Sequence, residues 1–308
     1  MRALTLRRYG SAPSLGDIGE PTPYDGHVAV PVIAAGLNPV DVAIAAGELG
    51  TEPPPPRVLG NEAVVTFDSR PVYAHRTTPR FGSFAERTLI DPAHVLPVPE
   101  DVDPAAALIA GISGQPAWIP LETTAAVKPG ETVLVLGATG AAGQVAVQAA
   151  ALLGAGRVIA AGRHLPTLRT LLDRGADRIV ALDGGQDADT LLDATGGGAD
   201  VVFDPVWGPG FADALRATRP GGRTVTIGRS GGAPTAEIPI FSLLGKSMLT
   251  YRNRDTPAQV VRAAFDRMLR HIAKGELIVD TQRFPLGQAE QAWRLQQGAP
   301  HAKLVLCP

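Results

Sequence analysis

The stretch Thr132-Val-Leu-Val-Leu-Gly-Ala-Thr-Gly-Ala-Ala-Gly143 runs from an apolar β-type segment through three glycines directly into the Ala-rich segment 144–153. A strand buried on both faces is continuously apolar, and a tight turn after it needs the conformational freedom of glycine. A strand, a turn and a helix are therefore expected. The whole of 132–156 is uncharged, as a membrane span would be, but Gly137, Gly140 and Gly143 interrupt it where a bilayer helix needs continuity. In register the turn reads Ala138-x-Gly140-x-x-Gly143, a dinucleotide fingerprint with alanine in the first glycine position. Gly140, with Ala141 and Ala142, would let backbone N–H groups approach a pyrophosphate. Gly143 would let the helix pack closely on the strand, its N-terminus facing the negative charge. A merely structural Gly-rich turn is the alternative.

Outward from this stretch, strand-like and helix-like segments alternate. Strands are expected at 133–136, 158–161, 178–182, 201–204 and 224–227, and helices at 144–153, 165–174, 187–193 and 210–217. This rhythm predicts an α/β fold with a Rossmann-type doubly wound parallel sheet. Upstream, to about Asp103, short β-type runs such as 28–33 and 63–67 are separated by Pro and Gly clusters, and 3–6 reads as a first strand. An irregular, mostly β domain is expected there. Residues 53–56, all proline, read as a short stiff loop. Asp103-Pro104 is a helix start signal. Downstream, Val261, Phe265, Met268, Leu269 and Ile272 share one face of a helix over 257–274, and 303–306 is a closing strand. If these last elements return to the N-terminal domain, 1–114 and 253–308 form one domain and 115–252 the other.

The fingerprint places an acid about 20 residues on, at the tip of the second strand, to accept from the ribose 2′-hydroxyl of NAD. Here that tip reads Ala161-Gly162-Arg163-His164. Gly162 offers no carboxylate to repel a 2′-phosphate and Arg163 offers a fork of donors to one, so NADPH is the expected cofactor, with His164 beside it. Arg169 is a second candidate, and a solvated loop arginine is the plain alternative for Arg163. Further contacts are expected at the carboxyl ends of the strands, from 204–208, with Val206, and from 228–232, with Gly228, Arg229 and Ser230. The latter loop also spells the nucleophile elbow Gly228-x-Ser230-x-Gly232. That motif needs a helix directly after the serine, and Gly231, Gly232 and Pro234 follow instead.

Composition narrows the function classes. Over 308 residues, 28 Lys and Arg stand against 30 Asp and Glu, a net charge of −2 that supplies no basic stripe for nucleic acid or an anionic membrane. Cys307 is the single cysteine, which excludes an intrachain disulfide framework and a Cys-rich zinc lobe, and points to the cytosol. The N-terminal residues lack the apolar run of a signal peptide. No pair among the six histidines has metal-ligand spacing, and none of the four tyrosines has lysine four residues later, as a short-chain dehydrogenase requires.

Five segments carry a family resemblance: Ala35-Gly-Leu-Asn-Pro-Val-Asp41, Leu59-Gly-Asn-Glu62, Gly82-Ser-Phe-Ala-Glu86, Val127-Lys-Pro-Gly-Glu-Thr-Val133 and the 138–143 loop. In this order, and with the closing Ala302-Lys-Leu-Val-Leu306, the chain resembles the zinc-independent quinone oxidoreductase branch of the medium-chain dehydrogenase/reductases, the branch of zeta-crystallin. The resemblance implies a GroES-like substrate domain from both chain ends, a Rossmann domain between, and hydride transfer to a quinone or an α,β-unsaturated carbonyl. Zinc-dependent relatives carry Gly-His-Glu at 60–62 and a cysteine near Asn38, so no metal site is expected. Asn38 would orient the cofactor or donate to the substrate carbonyl, with Asp41 holding the loop; the alternative for Asn38 is a turn and helix cap. Ser113, expected in the helix entering the cofactor domain, matches a hydroxyl near the carboxamide, or is a packing serine. The tyrosine that many enone-reducing relatives place after the equivalent of Gly47 is replaced by Glu48 and Leu49. A homodimer is implied, with the apolar 239–244 at the edge of the cofactor domain. An NADPH-binding structural, sensing or RNA-associated protein with little turnover remains the other reading.

Overall fold

The computed structural model describes residues 1–49, 54–75, 77–78, 80–184 and 187–308. Pro53, the first residue of the expected stiff loop, lies outside them. The chain forms two compact units, Met1–Ile112 with Val279–Pro308, and Ser113–Ile278.

The first unit is mostly antiparallel β. It contains β1 (Arg2–Leu6), β2 (Ser14–Asp17), β3 (Val28–Leu37), α1 (Pro39–Ala46), β4 (Arg57–Val58), β5 (Glu62–Phe67), β6 (Arg70–His75), β7 (Arg87–Ile90), β8 (Leu96–Pro97) and α2 (Pro104–Ala107). Asp103 caps α2 as expected, its Oδ1 accepting from Ala106 N–H at 3.0 Å, with Pro104 in the first turn. The second unit runs through α3 (Gln115–Ile119), β9 (Thr132–Val135), α4 (Ala141–Leu152), β10 (Arg157–Gly162), α5 (Leu165–Leu172), β11 (Arg178–Ala181), α6 (Ala188–Ala194), β12 (Ala199–Asp204), α7 (Pro209–Arg216), β13 (Thr218–Thr226), β14 (Ser247–Thr250) and α8 (Ala258–Ala273). The chain then closes the first unit with β15 (Thr281–Pro285), α9 (Ala289–Gln297) and β16 (Lys303–Cys307).

In the first unit a small sheet, β2-β1-β4, accompanies a larger one ordered β15-β16-β3-β5-β6-β8, with β7 also on β3. Register decides what meets in its interior. Leu304 pairs with Leu37, and Ala35 pairs with Ala63. Lys303 is thereby placed beside the residue that follows β3, Asn38, and Glu62 beside Gly36. Leu4, Leu6, Leu59, Phe84, Leu304 and Leu306 supply the surrounding apolar core.

The second unit has the parallel order β11-β10-β9-β12-β13-β14. Counted along the chain this is 3-2-1-4-5-6, the Rossmann order, with its switch point between β9 and β12. The uncharged stretch is accounted for without a bilayer: β9 is central and α4 is buried from Gly143 to Ala150. Among the described residues no helix is long and apolar enough to cross a membrane.

Three expectations need correction. The return to the first unit comes at Val279, not at 253, because α8 stays with the second unit. Its Val261, Ala264, Phe265, Met268 and Leu269 are buried, His271 stacks on Trp118 of the α3 segment at 5.4 Å, and Gln148 of α4 exchanges hydrogen bonds with the Ile278 backbone. The first boundary falls at 112 instead of 114. A sixth strand, β14, also forms the sheet edge, whereas 239–244 holds only a short 3-10 turn (Ile240–Ser242).

Gly143 is fixed by packing, since a Cβ there would overlap Gly137 O and crowd Ala138 Cα. Gly140 has φ −75° and ψ 160°, and a Cβ would meet nothing nearer than Gly137 O at 3.6 Å. Gly143→Ala is therefore expected to cost at least about 1–3 kcal/mol in urea unfolding, and Gly140→Ala less than about 1 kcal/mol. Equal losses would contradict this packing.

Candidate functional site

In the second unit the site is built from backbone. Gly137, at φ +55°, turns the chain at the end of β9. Ala138 N–H then bonds Ala161 O of β10 at 3.0 Å, and the Gln144 amide holds Thr139 O at 3.1 Å. Gln144 N–H bonds Gly140 O at 2.8 Å, the first bond of α4. The N–H groups of Ala141, Ala142 and Gly143 precede it and have no acceptor within the helix. Gly140 is exposed, and with a Cβ position touching only Gly137 O at 3.6 Å it crowds nothing in front of the helix start, so a phosphate can come up to these donors. The residues present fit a dinucleotide pyrophosphate.

At the tip of β10, Arg163 is exposed and makes no ion pair among the described residues. Gly162 has a role beyond lacking a carboxylate: a Cβ there would stand 3.0 Å from Thr139 Cγ2, so the glycine lets the tip pack on the phosphate loop. His164 is the N-cap of α5, its Nδ1 facing Thr167 Oγ1 at 2.8 Å. Capping accounts for that face of the ring.

The two remaining loops support each other. Asp204, fully buried at the end of β12, accepts from the N–H groups of Val206 (2.8 Å) and Trp207 (2.9 Å) and from Thr226 Oγ1 (3.0 Å). Burial pushes its carboxyl above the ordinary value against these bonds. Ser230 N–H bonds Pro205 O and Gly231 N–H bonds Val206 O, which ties 228–232 to 204–208. Gly228, Arg229 and Ser230 are all exposed on this loop. Instead of entering a helix after Ser230, the chain folds back through Gly232 N–H to Arg229 O, which removes the nucleophile-elbow reading. Ser113 is buried, and lies in the turn before α3, not inside a helix as expected, because α3 begins only at Gln115.

The first unit holds a different kind of cluster, built from side chains. Asn38, Asp41, Glu62, Tyr73 and Lys303 are each at most 1% exposed. Asn38 is the N-cap of α1. Its Nδ2 donates to Gly36 O (3.1 Å) and Glu62 Oε1 (2.8 Å), and its Oδ1 accepts from Lys303 Nζ (2.6 Å). Both amide hydrogens are thus engaged within the unit. A donation from Asn38 to a substrate carbonyl would require one of these bonds to open, and Asn38 stands at the N-cap position that the alternative gives it. Asp41 ties the same turn to Asn61: Oδ2 accepts from Asn38 N–H (2.8 Å) and Oδ1 from Asn61 Nδ2 (2.6 Å). Burial drives the Asp41 carboxyl up to about 7, with Glu62 adding to the rise and the two hydrogen bonds and Lys303 opposing it.

Comparison with known proteins agrees with this architecture. The family model described as zinc-binding dehydrogenase matches residues 141–274. The chain is 30% identical over 303 residues to prostaglandin reductase-3 of Bos taurus, covering 91% of this chain and 76% of the relative. It is 29% identical over 300 residues to a phenolphthiocerol/phthiocerol polyketide synthase of Mycobacterium tuberculosis, matching over 92% of this chain but spanning only 14% of that protein's length. The structure of a quinone oxidoreductase from Thermus thermophilus, determined also in complex with NADPH, superposes with a TM-score of 0.86 at 30% identity over 100% of both chains. The chain belongs to the medium-chain dehydrogenase/reductase family of oxidoreductases, in its quinone oxidoreductase branch.

Glu62, Tyr73 and Lys303 escaped the reading of site residues. The available signal was a charge at the head of each of two buried strands, Glu62 before Ala-Val-Val and Lys303 before Leu-Val-Leu. Burial of Asp41 has a measurable sign. Its native carboxyl titrates above the unfolded value of 3.8, so between about pH 4 and pH 7 the native state binds the extra proton and stability falls as pH rises. Urea unfolding should show the wild type losing stability against Asp41→Asn across this window, up to about 4 kcal/mol. Parallel pH profiles would mean that Asp41 is ionised throughout.

Proposed function

We propose that this chain transfers hydride from NADPH to a quinone or an α,β-unsaturated carbonyl without a metal ion. The observation that carries the cofactor assignment is the open backbone cradle at Gly140 with Arg163 exposed beside it. In this reading Gly140, Ala141, Ala142 and Gly143 hold the pyrophosphate, and Arg163 takes the 2′-phosphate with His164 alongside. Ser113 borders the carboxamide, and Val206, Gly228, Arg229 and Ser230 flank the nicotinamide end. NADPH, when bound, supplies the hydride. The similarity to a quinone oxidoreductase solved with NADPH supports the choice.

The donor set argues against zinc. Asn38 and Asn61 are amides, poor ligands for this ion, and Asn61 is turned to Asp41. The Lys303 ammonium, 2.6 Å from Asn38 Oδ1, would repel a dication. An acceptor that needs no Lewis acid, already electrophilic as quinones and enones are, suits such a site. Asn38 and Asp41 shape the loop. With Glu48 and Leu49 exposed where the family tyrosine would stand, water is left to protonate the reduced product. NADPH oxidation assayed with a small quinone and a simple enone separates this reading from that of a binding protein with little turnover.

We also propose a homodimer. Beside the edge strand β14, Phe241 is 82% exposed, with Ile240, Leu244 and Met248 exposed as well. Such a patch marks an interface more often than free surface. Phe241→Asp should convert a dimer to a monomer in sedimentation, and a monomeric wild type would exclude it.

Cofactor choice is the more direct test. Arg163→Ala is expected to raise the Kd for NADPH about 10- to 100-fold while leaving that for NADH nearly unchanged, since charge-assisted hydrogen bonds contribute about 1.5–3 kcal/mol. An unchanged ratio would move the 2′-phosphate to other groups, with Arg169 next to examine.

A further inference from the structure

Glu62 is engaged on every side. Its Oε1 takes the Asn38 amide at 2.8 Å and pairs with Lys303. Its Oε2 accepts from Tyr73 O–H at 2.8 Å and from Ile112 N–H at 2.7 Å. The carboxylate also dictates backbone around it: a Cβ on Gly36 would overlap Oε1, and one on Gly111 would overlap Oε2 and Tyr73 Oη. Ile112 is the last residue of the first unit before the crossover and Ser113 the first of the second. One carboxylate therefore grips both the cap of α1, whose first turn carries Asp41, and the point at which the chain crosses over to Ser113.

Folding alone does not call for this arrangement. Burying an ion pair is often no better than an apolar replacement of the same volume, and the pairing of β5 with β3 and β6 uses backbone groups only. We infer that Glu62 is a positioning residue for hydride transfer: within the first unit its two oxygens fix the Asn38–Asp41 turn and the backbone of Ile112, the residue bonded to Ser113, with Lys303 as counter-charge. This rests on the reading that Ser113 borders the cofactor carboxamide. Misplacement of about 1 Å at a distance from the reacting atoms is enough to slow chemistry about 100-fold, while ground-state binding by the phosphate loop is left intact.

The test is the charge-neutral pair Glu62→Gln with Lys303→Met, alongside Tyr73→Phe, which keeps both charges and removes one hydrogen bond to Oε2. NADPH affinity, quinone KM, kcat and the isotope effect with NADPH deuterated at the transferred position are measured on each. The paired variant is expected to keep the Kd for NADPH and the quinone KM within about threefold, and to lose kcat about 10- to 100-fold. The isotope effect should rise as hydride transfer becomes limiting. Tyr73→Phe should move the same quantities in the same direction by about three- to tenfold, and it decides alone if the paired variant does not fold. Unchanged kcat and isotope effect in a folded variant, beside an active wild type, overturn the inference and leave the functional reading standing. A wild type that oxidises no NADPH with any quinone instead removes the functional reading beneath it, and both fall together.

Discussion

The first unit is organised by one buried ion pair, Glu62 with Lys303, both at most 1% exposed. Taking two such charges out of water is costly, and attraction between them offsets that cost only when the remaining lone pairs and protons find partners. Here they do. The Glu62 oxygens collect donors from Lys303, Asn38, Tyr73 and the Ile112 backbone, and Lys303 donates in addition to Asn38. The requirement for space at this carboxylate explains why positions 36 and 111, neither in a left-handed conformation, are glycine. The register of β16 on β3, which sets Leu304 against Leu37, brings Lys303 from the far end of the sequence to Asn38 and Glu62.

The second unit reaches a comparable precision by other means. Its candidate phosphate site uses main-chain N–H groups at a helix start, so the demands fall on glycine geometry and close packing instead of on charge. Asp204 is the exception. Buried, it organises the loop after β12 through two backbone N–H groups and the Thr226 hydroxyl. One unit thus carries a polar cluster of buried side chains, and the other a run of backbone N–H groups at a helix start.

Local pattern revealed most of the second unit. The run 132–143, read as strand, turn and helix, and the alternation after it, are properties of contiguous residues, and the parallel sheet followed from them. What escaped depended on residues far apart. Asn38 carries the same local signal whether its amide faces a ligand or is consumed by Gly36, Glu62 and Lys303, and only the pairing of β16 with β3 settles which. The second boundary was misplaced because α8 has an apolar face that would suit either unit, and its partner, Trp118 in the α3 segment, is remote in sequence. The edge strand β14 is four residues long and half polar, too short for periodicity to identify.

If the Glu62–Lys303 pair is the organising interaction, its two members are coupled far more strongly than surface charges are. A double-mutant cycle on unfolding free energy, with Glu62→Gln, Lys303→Met and the two combined, measures that coupling directly. Each single change should cost about 3–5 kcal/mol by leaving the other charge buried without its counter-ion, and the double change no more than either, a coupling of about 3 kcal/mol or more. Single costs that add in the double variant, with coupling below about 0.5 kcal/mol, would contradict the account.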